Sequence, residues 1–208
     1  MEREKAVNEL ALRKLKELSI EERNSQLEIF FCENWEDDEE WQKLPVQIRQ
    51  EFIGESLIEK PESKRYDQPL LIWIKDQLKP VTNEYLQSEL KVDNIYGSPI
   101  KMESCPCCGR KTIESRGDFE ICRICWWEDD GQDNEHADDV WGGPNYGVSL
   151  TQARHYYLTI GIYNPEQIDL KEIQEKAEKY PIGRIFEIED DYVVERSKNW
   201  KGKIKTNA

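Results

Sequence analysis

The sequence predicts an α+β chain: an all-helical N-terminal region followed by a small, cysteine-stapled ribbon module with a C-terminal helix. Three observations carry that prediction. Apolar residues recur at helical spacing through residues 1–92, two C-x-x-C pairs follow in close succession, and a helix-start signature stands at Ser149. The expected boundaries are an acidic helical region over 1–95, a cysteine-rich domain over 100–161, and a helical extension with a basic tail over 162–208.

Residues 3–18 place Ala6, Leu10, Leu12, Leu15 and Leu18 near one face of a first helix. Ser19, Ile20, Glu21 and Glu22 form a capping-box pattern, so the helix breaks at Ser19 and a second one carries Leu27, Ile29, Phe30 and Phe31. That helix runs into an acidic stretch from Glu36 to Glu40. Pro45 suits the first turn of a third helix burying Val46, Ile48, Phe52 and Ile53. A loop around Pro61 precedes a strongly apolar helix with Leu70, Leu71, Trp73, Ile74 and Leu78, ended near Pro80. Thr82 caps a fifth helix that turns Tyr85, Leu86 and Leu90 inward. Gly97, Ser98 and Pro99 then link this region to the cysteines.

Beyond the cysteines, Ser149, Leu150, Thr151 and Gln152 repeat the capping logic. A helix with Ala153, Tyr156, Tyr157 and Ile160 follows and ends at Gly161. The tail is expected to hold a short helix near 168–179 and to fray over its last ten residues.

Cys105 with Cys108 makes one C-x-x-C turn, and Cys122 with Cys125 makes the other, with 13 residues between them. Two such turns set face to face supply four soft sulfurs at tetrahedral corners, which is what zinc prefers. The expected cofactor is therefore one structural Zn2+ in a zinc-ribbon-like module. Every position is filled by cysteine, so no place is left for a water nucleophile. A hairpin carrying Ile113 and Phe119, turning at Gly117 and Asp118, is expected between the pairs. Arg110, Lys111 and Arg123 stand where they could offset thiolate charge. The main competitors are iron in a rubredoxin-like site and a redox pair of cysteines, but rubredoxin-like knuckles usually carry glycine after both pairs, whereas Trp126 follows the second one here, and a thioredoxin-type pair needs a C-x-x-C opening a helix in a βαβ setting that the sequence does not show. Cys107 is expected to be a bystander, and Cys32 a small core residue on the second helix.

The stretch from Trp126 through Asp129, Asp130, Asp133, Glu135, His136, Asp138 and Asp139 to Asn145 invites a second reading as an acid–base or cation site. One histidine without a nucleophile or second base is thin support for catalysis, so a solvated acidic loop is the preferred reading. It is expected to be pinned by the tryptophans and by pairing of Asp129 or Asp130 with Arg154.

The run Cys105, Pro106, Cys107, Cys108, Gly109, then Cys122, Cys125, Trp127, Glu128, Asp129, Asp130, Gly131, and then Gly142, Gly143, Pro144, Asn145, Ser149, Leu150, Ala153, Arg154 resembles the bacterial cysteine-rich CPCC family. The resemblance covers about residues 104–161. Tyr66, Asp67, Leu70, Leu71 and Val81 to Leu86 look like an N-terminal region that some members carry. The resemblance implies zinc binding and transfers the four ligands; it transfers no catalytic residue. One departure is Arg123, where proline is expected after Cys122.

Composition narrows the function classes. The net charge of −14 is carried by residues 1–100, with 22 acids against 14 bases, and by residues 101–160, with 11 against 6. Such a surface repels phosphate backbones and anionic lipid and attracts basic proteins. The N-terminus lacks an apolar signal region, and the run Leu70 to Ile74 is too short to span a bilayer, so a cytoplasmic location is expected, with no membrane partner. The expected role is a non-enzymatic interaction module for a basic protein partner, with a toxin as candidate and the chain as its immunity protein or antitoxin. The alternatives are a zinc-ribbon regulator that binds nucleic acid, which the charge disfavours, and a hydrolase using the Asp129–Asp139 loop.

Overall fold

The computed structural model describes residues 1–32, 39–53, 58 and 60–204, with the side chains of Phe52 and Ile53 excluded. The acidic residues 36–38, the expected burial of Phe52 and Ile53, and Lys205 of the tail therefore lie outside the described residues. The fold is α+β and forms two compact units, Met1–Pro99 and Ile100–Ala208. Among the described residues, no helix is long and apolar enough to cross a membrane.

The first unit is helical throughout: α1 (Arg3–Glu17), α2 (Ile20–Cys32), α3 (Glu39–Gln42), α4 (Val46–Ile53), α5 (Asp67–Leu78) and α6 (Asn83–Leu90). The break at Ser19 forms as its sequence dictates. Ser19 N–H donates to Glu22 Oε2 at 2.8 Å and Glu22 N–H to Ser19 Oγ at 3.1 Å, a reciprocal capping box. Thr82 Oγ1 likewise accepts from Tyr85 N–H at 3.1 Å and starts α6.

The most apolar helix, α5, is the centre of this unit and packs against α1, α2 and α3. It buries Leu70 and Ile74 as expected, and also Ile72, which joins Phe30, Trp41, Leu44 and Ile48 in one cluster. Several expectations fail at the level of faces. Leu12, Ile29 and Val46 are exposed, while Val7 and Ala11 are buried in α1. The winning stripe on α1 runs through Ala6, Val7, Leu10 and Ala11, whose small side chains let α5 and α6 approach closely. Cys32, at the end of α2, is exposed and not a core residue.

Arg3 does what no periodicity reveals. Its buried guanidinium donates to the carbonyls of Lys79 at 2.9 Å and Val81 at 2.6 Å, and also to Asn83. It thereby satisfies carbonyls that the end of α5 leaves without helical partners.

The second unit contains β1 (Glu103–Ser104), β2 (Lys111–Ile113), α7 (Leu150–Ile160), β3 (Glu187–Glu189), β4 (Tyr192–Glu195) and β5 (Trp200–Lys203), with short 3-10 turns between. β1 and β2 pair antiparallel, and β3–β4–β5 form an antiparallel meander. The expectation of a helical extension and a frayed basic tail does not survive over the described residues 162–204. Only 3-10 turns occupy 165–172 and 177–179, and β5 pairs with β4 through Lys203. Val193 and Tyr180 are buried to 0% and 1% exposure, so this segment contributes to the core of the unit. α7 forms where expected, with Ser149 Oγ accepting from Gln152 N–H at 3.3 Å and Gly161 closing it at φ 81°.

Candidate metal centre

Each C-x-x-C pair sits on a tight reversal of the chain. In the first, Gly109 N–H donates to Cys105 O at 3.0 Å and Cys105 N–H to Arg110 O at 2.8 Å. In the second, Trp126 N–H donates to Cys122 O at 2.8 Å and Cys122 N–H to Trp127 O at 2.9 Å. The two turns are the same structure built twice. The residue after each pair is left-handed, Gly109 at φ 77° and Trp126 at φ 66°. Trp126 thus holds the glycine position of a knuckle despite its side chain, with backbone strain on the order of 1 kcal/mol.

Pairing across each knuckle replaces the expected hairpin between the cysteine pairs. β1 pairs with β2 across the first, and Ile121 bridges Glu128 across the second. Gly117 does turn the chain, at φ 80°, but no strand follows it, and Phe119 is exposed while Ile113 is fully buried.

These reversals bring all four sulfurs within 4.8 Å of one another, in a buried cluster. Cys105 Sγ lies 3.6 Å from Cys125 Sγ, and Cys108 Sγ 3.6 Å from Cys122 Sγ. Tetrahedral ligation at the zinc–sulfur bond length requires sulfur–sulfur edges of about 3.8 Å, close to this arrangement. Without a cation, burial pushes the Cys105 thiol up and the Cys108 and Cys125 thiols well above their ordinary range. Burial acts on Cys122 in the same sense, but hydrogen bonds from the other three thiols and from Thr112 outweigh it and hold Cys122 well down. The Thr112 hydroxyl stands 3.1 Å from Cys122 Sγ. Four thiolates are therefore tenable in this site only with a metal ion among them. Cys107 is fully buried and is not one of the four.

The C-terminal segment covers both knuckles. Gly109 O accepts from the N–H groups of Gly183 at 2.9 Å and Arg184 at 3.0 Å, and Pro181 O accepts from Lys111 N–H at 2.9 Å. At the second knuckle, Tyr163 N–H donates to Cys125 O at 3.1 Å, Glu175 N–H to Arg123 O at 3.1 Å, and the Gln174 amide to Ile124 O. Arg110 and Arg123 turn toward this segment too, Arg110 donating to Tyr180 O at 2.9 Å and Arg123 lying 3.9 Å from Glu175. A Cβ on Gly109 would stand 2.1 Å from Arg184 O, on a backbone already at positive φ. Gly109→Ala is therefore expected to destabilise the second unit by about 2–3 kcal/mol, read from chemical denaturation, because the close approach and the φ both forbid it.

The acidic loop is bound up in this scaffold. Asp129, fully buried, accepts from Arg116 Nε at 2.7 Å and Gly117 N–H at 3.0 Å. The expected pairing of Asp129 or Asp130 with Arg154 is therefore corrected: Arg116 takes Asp129, and Asp130 accepts from Gln132 N–H and from Asn145 Nδ2. Asn145 also exchanges hydrogen bonds with both backbone groups of Glu128, which ties the Gly-Gly-Pro-Asn turn to the strand leaving the second knuckle.

Arg154, fully buried, donates instead to Pro106 O at 2.8 Å, inside the first knuckle, and to Asn134 Oδ1 at 2.8 Å. Its guanidinium lies 4.2 Å from the centre of the Phe186 ring and 4.5 Å from that of Trp200. Burial, and then repulsion from Arg184, bring its pKa down to about 9.

Asp133 receives Arg184 Nη2 at 2.8 Å and Arg116 Nη1 at 3.0 Å, and Arg184 also grips buried Glu195 at 2.7 Å. His136 is exposed and lies against the Trp141 ring at 5.4 Å. Among the described residues, the four cysteines are the only group of metal-ligating side chains that converge. Thr112, Arg116, Asn134, Arg184 and Glu195 also belong to the site, and no sequence signal marks them, because their partners are distant along the chain.

Burial alone would raise the Asp133 pKa, but hydrogen bonds from Arg184, Asn134 N–H and Arg116 bring it down to about 2. A depressed carboxylate contributes stability above its unfolded pKa and loses it as pH falls through the folded value. The window here is about pH 4 down to about 2. With its carboxylate 42% exposed, the contribution after solvent screening is on the order of 1 kcal/mol. Asp133→Asn is expected to flatten stability against pH in that window. Thiolate protonation is common to both proteins and cancels in the comparison.

A paired-knuckle ribbon with Cys-Pro-Cys-Cys in its first turn is followed by the Trp-Glu-Asp-Asp-Gly and Gly-Gly-Pro-Asn segments. Residues 103–179 match the model of the cysteine-rich CPCC family. The CPCC match runs past α7 to Lys179, and so includes Tyr163, Gln174 and Glu175, which bond to the second knuckle. No curated protein and no solved structure matches the chain.

Proposed function

We propose that Cys105, Cys108, Cys122 and Cys125 hold one structural zinc ion, and that the chain is a non-enzymatic, cytoplasmic interaction module whose acidic surface binds a basic protein. The buried, closed set of four sulfurs is the observation that carries this reading. A tetrathiolate zinc site stabilises a fold and leaves no coordination position for substrate. The disposition of the acidic loop supports the non-catalytic reading. Asp129 and Asp133 are engaged by Arg116 and Arg184, and Thr151 donates to Asp138, so none is poised beside His136 as an acid–base pair.

The net charge of −14 supports a basic partner, as do the exposed acids Glu135, Asp138 and Asp139 on the same loop. A toxin, with this chain as its immunity protein or antitoxin, is the leading candidate. Affinity capture from the source cell at low salt, followed by a salt series, tests the proposal. A basic protein recovered at low salt and released as ionic strength rises supports it. Capture of nucleic acid in its place, or of no protein together with no protection against a toxin, rejects it.

A further inference from the structure

A cleft of about 310 Å3 opens between the loop at 140–149, the first turns of α7 and the turn that begins at Pro165. None of the four cysteines lines it. Tyr146 and Tyr156 provide aromatic surface, and Ser149, Gln152, Asn164 and Glu166 provide the polar groups. No lysine, arginine or histidine is among the lining residues.

Two acceptors in the lining are uncommitted. Gln152 Oε1 is buried and has no hydrogen-bond partner, while its Nε2 faces His155 Nδ1 at 3.5 Å. An acceptor left buried and unpaired is expensive, on the order of 1–3 kcal/mol, unless a donor visits it. Glu166 is exposed and makes no ion pair among the described residues. Donors that would favour an anion at the start of α7 are already taken. Thr151 N–H donates to Ala137 O at 2.7 Å and Gln152 N–H to Ser149 Oγ. Among the lining acceptors, Asn164 Oδ1 is already occupied by Glu166 N–H at 3.0 Å, which leaves Gln152 Oε1 and the Glu166 carboxylate. Tyr146, on the rim, sits at φ 56° and ψ −138°, a backbone region in which side chains are rare outside binding sites and turns.

We propose that this cleft receives one lysine or arginine side chain of the basic partner. The cation's aliphatic stem lies against Tyr146 and Tyr156, and its N–H groups reach Gln152 Oε1 and the Glu166 carboxylate. A cavity of this volume accommodates one long side chain and not an element of secondary structure. The inference rests on the partner-binding reading above and names where the partner's charge is read.

The test is an amide chemical-shift titration of the full, metal-loaded chain with the N-acetyl methylamides of arginine and lysine, using those of norleucine and glutamate as controls. Shifts confined to residues 146–152 and 164–166, produced by the two cations and not by the controls, are expected. Glu166→Gln is expected to weaken the cations about fivefold with the spectrum otherwise unchanged, as for a solvent-exposed ion pair. Gln152→Leu is expected to weaken them as well. Absence of shifts in those segments, equal shifts from norleucine, or preference for glutamate overturns the assignment. The titration and partner capture fail independently: a captured basic protein with a silent cleft removes this site alone, and a responsive cleft without any captured protein removes the partner.

Discussion

Cys122→Ser is expected to abolish metal binding and unfold the second unit, whereas Cys107→Ser retains one metal ion per chain. Cys122 accepts from Thr112 and closes the tetrad from the second knuckle, so its loss leaves three buried thiols around an incomplete site. Structural zinc contributes on the order of 10–16 kcal/mol to small domains, more than the whole net stability of an ordinary one. Serine at any of the four positions therefore gives a metal-free protein with a collapsed near-ultraviolet tryptophan signal, since Trp127 is fully buried beside the second knuckle. Cys107 stands outside the coordination set, and serine there costs about 1–2 kcal/mol for burying a hydroxyl. Elemental analysis of the purified variants, together with chelator titration of the unsubstituted chain, reads both effects. Metal retained by Cys122→Ser would falsify the assignment of the ligands.

The second large effect belongs to Arg154. Its guanidinium is the only described group that bonds the first knuckle at Pro106 O while lying within cation–π distance of rings from the C-terminal meander. Alanine there removes a side chain that is fully buried, leaves Pro106 O without its side-chain donor and Asn134 Oδ1 with Arg184 alone, and takes the aromatic rings' shared partner away. The expected loss is about 3–5 kcal/mol, the range for truncating a large, fully buried side chain to alanine. Lysine does not rescue it, because one ammonium cannot bond two diverging acceptors while stacking on both rings. The discriminating measurement is the chelator concentration at half-release. Arg154→Ala lowers it even though no ligand has changed, while an exposed substitution in the first unit, such as Ile29→Ala, leaves it where it was.

Much of the first unit was legible because its signals are local. A capping box spans four residues and an apolar stripe repeats within one turn, so Ser19 and Thr82 each marked a helix start that the structure keeps, as Ser149 does in the second unit. Face assignment was less secure. Leu12 and Val46 fit the periodicity equally well on an exposed side, and only the neighbours of α1 and α4 decide between the two. The four cysteines were legible because metal geometry constrains spacing directly.

The rest of the site was not, since its pairs are separated by long stretches of chain. Arg184 meets Asp133 across 51 residues and Arg154 meets Pro106 across 48, and no short pattern encodes either contact. The closing meander was hidden for a different reason. β3 and β5 are three and four residues long and rich in charge, so they carry no alternation from which a strand could be read.

The cover that residues 163–184 lay over the knuckles has a consequence for the order in which the protein is made. All four sulfurs are present once Cys125 has been synthesised, but the amides of Gly183 and Arg184 that bind Gly109 O follow much later. At ordinary elongation rates the interval from Cys125 to Arg184 lasts roughly 3–12 seconds. Throughout it the knuckles lack the backbone bonds that this segment supplies. The proposed ion would on this order be taken up before residues 163–184 close over the knuckles.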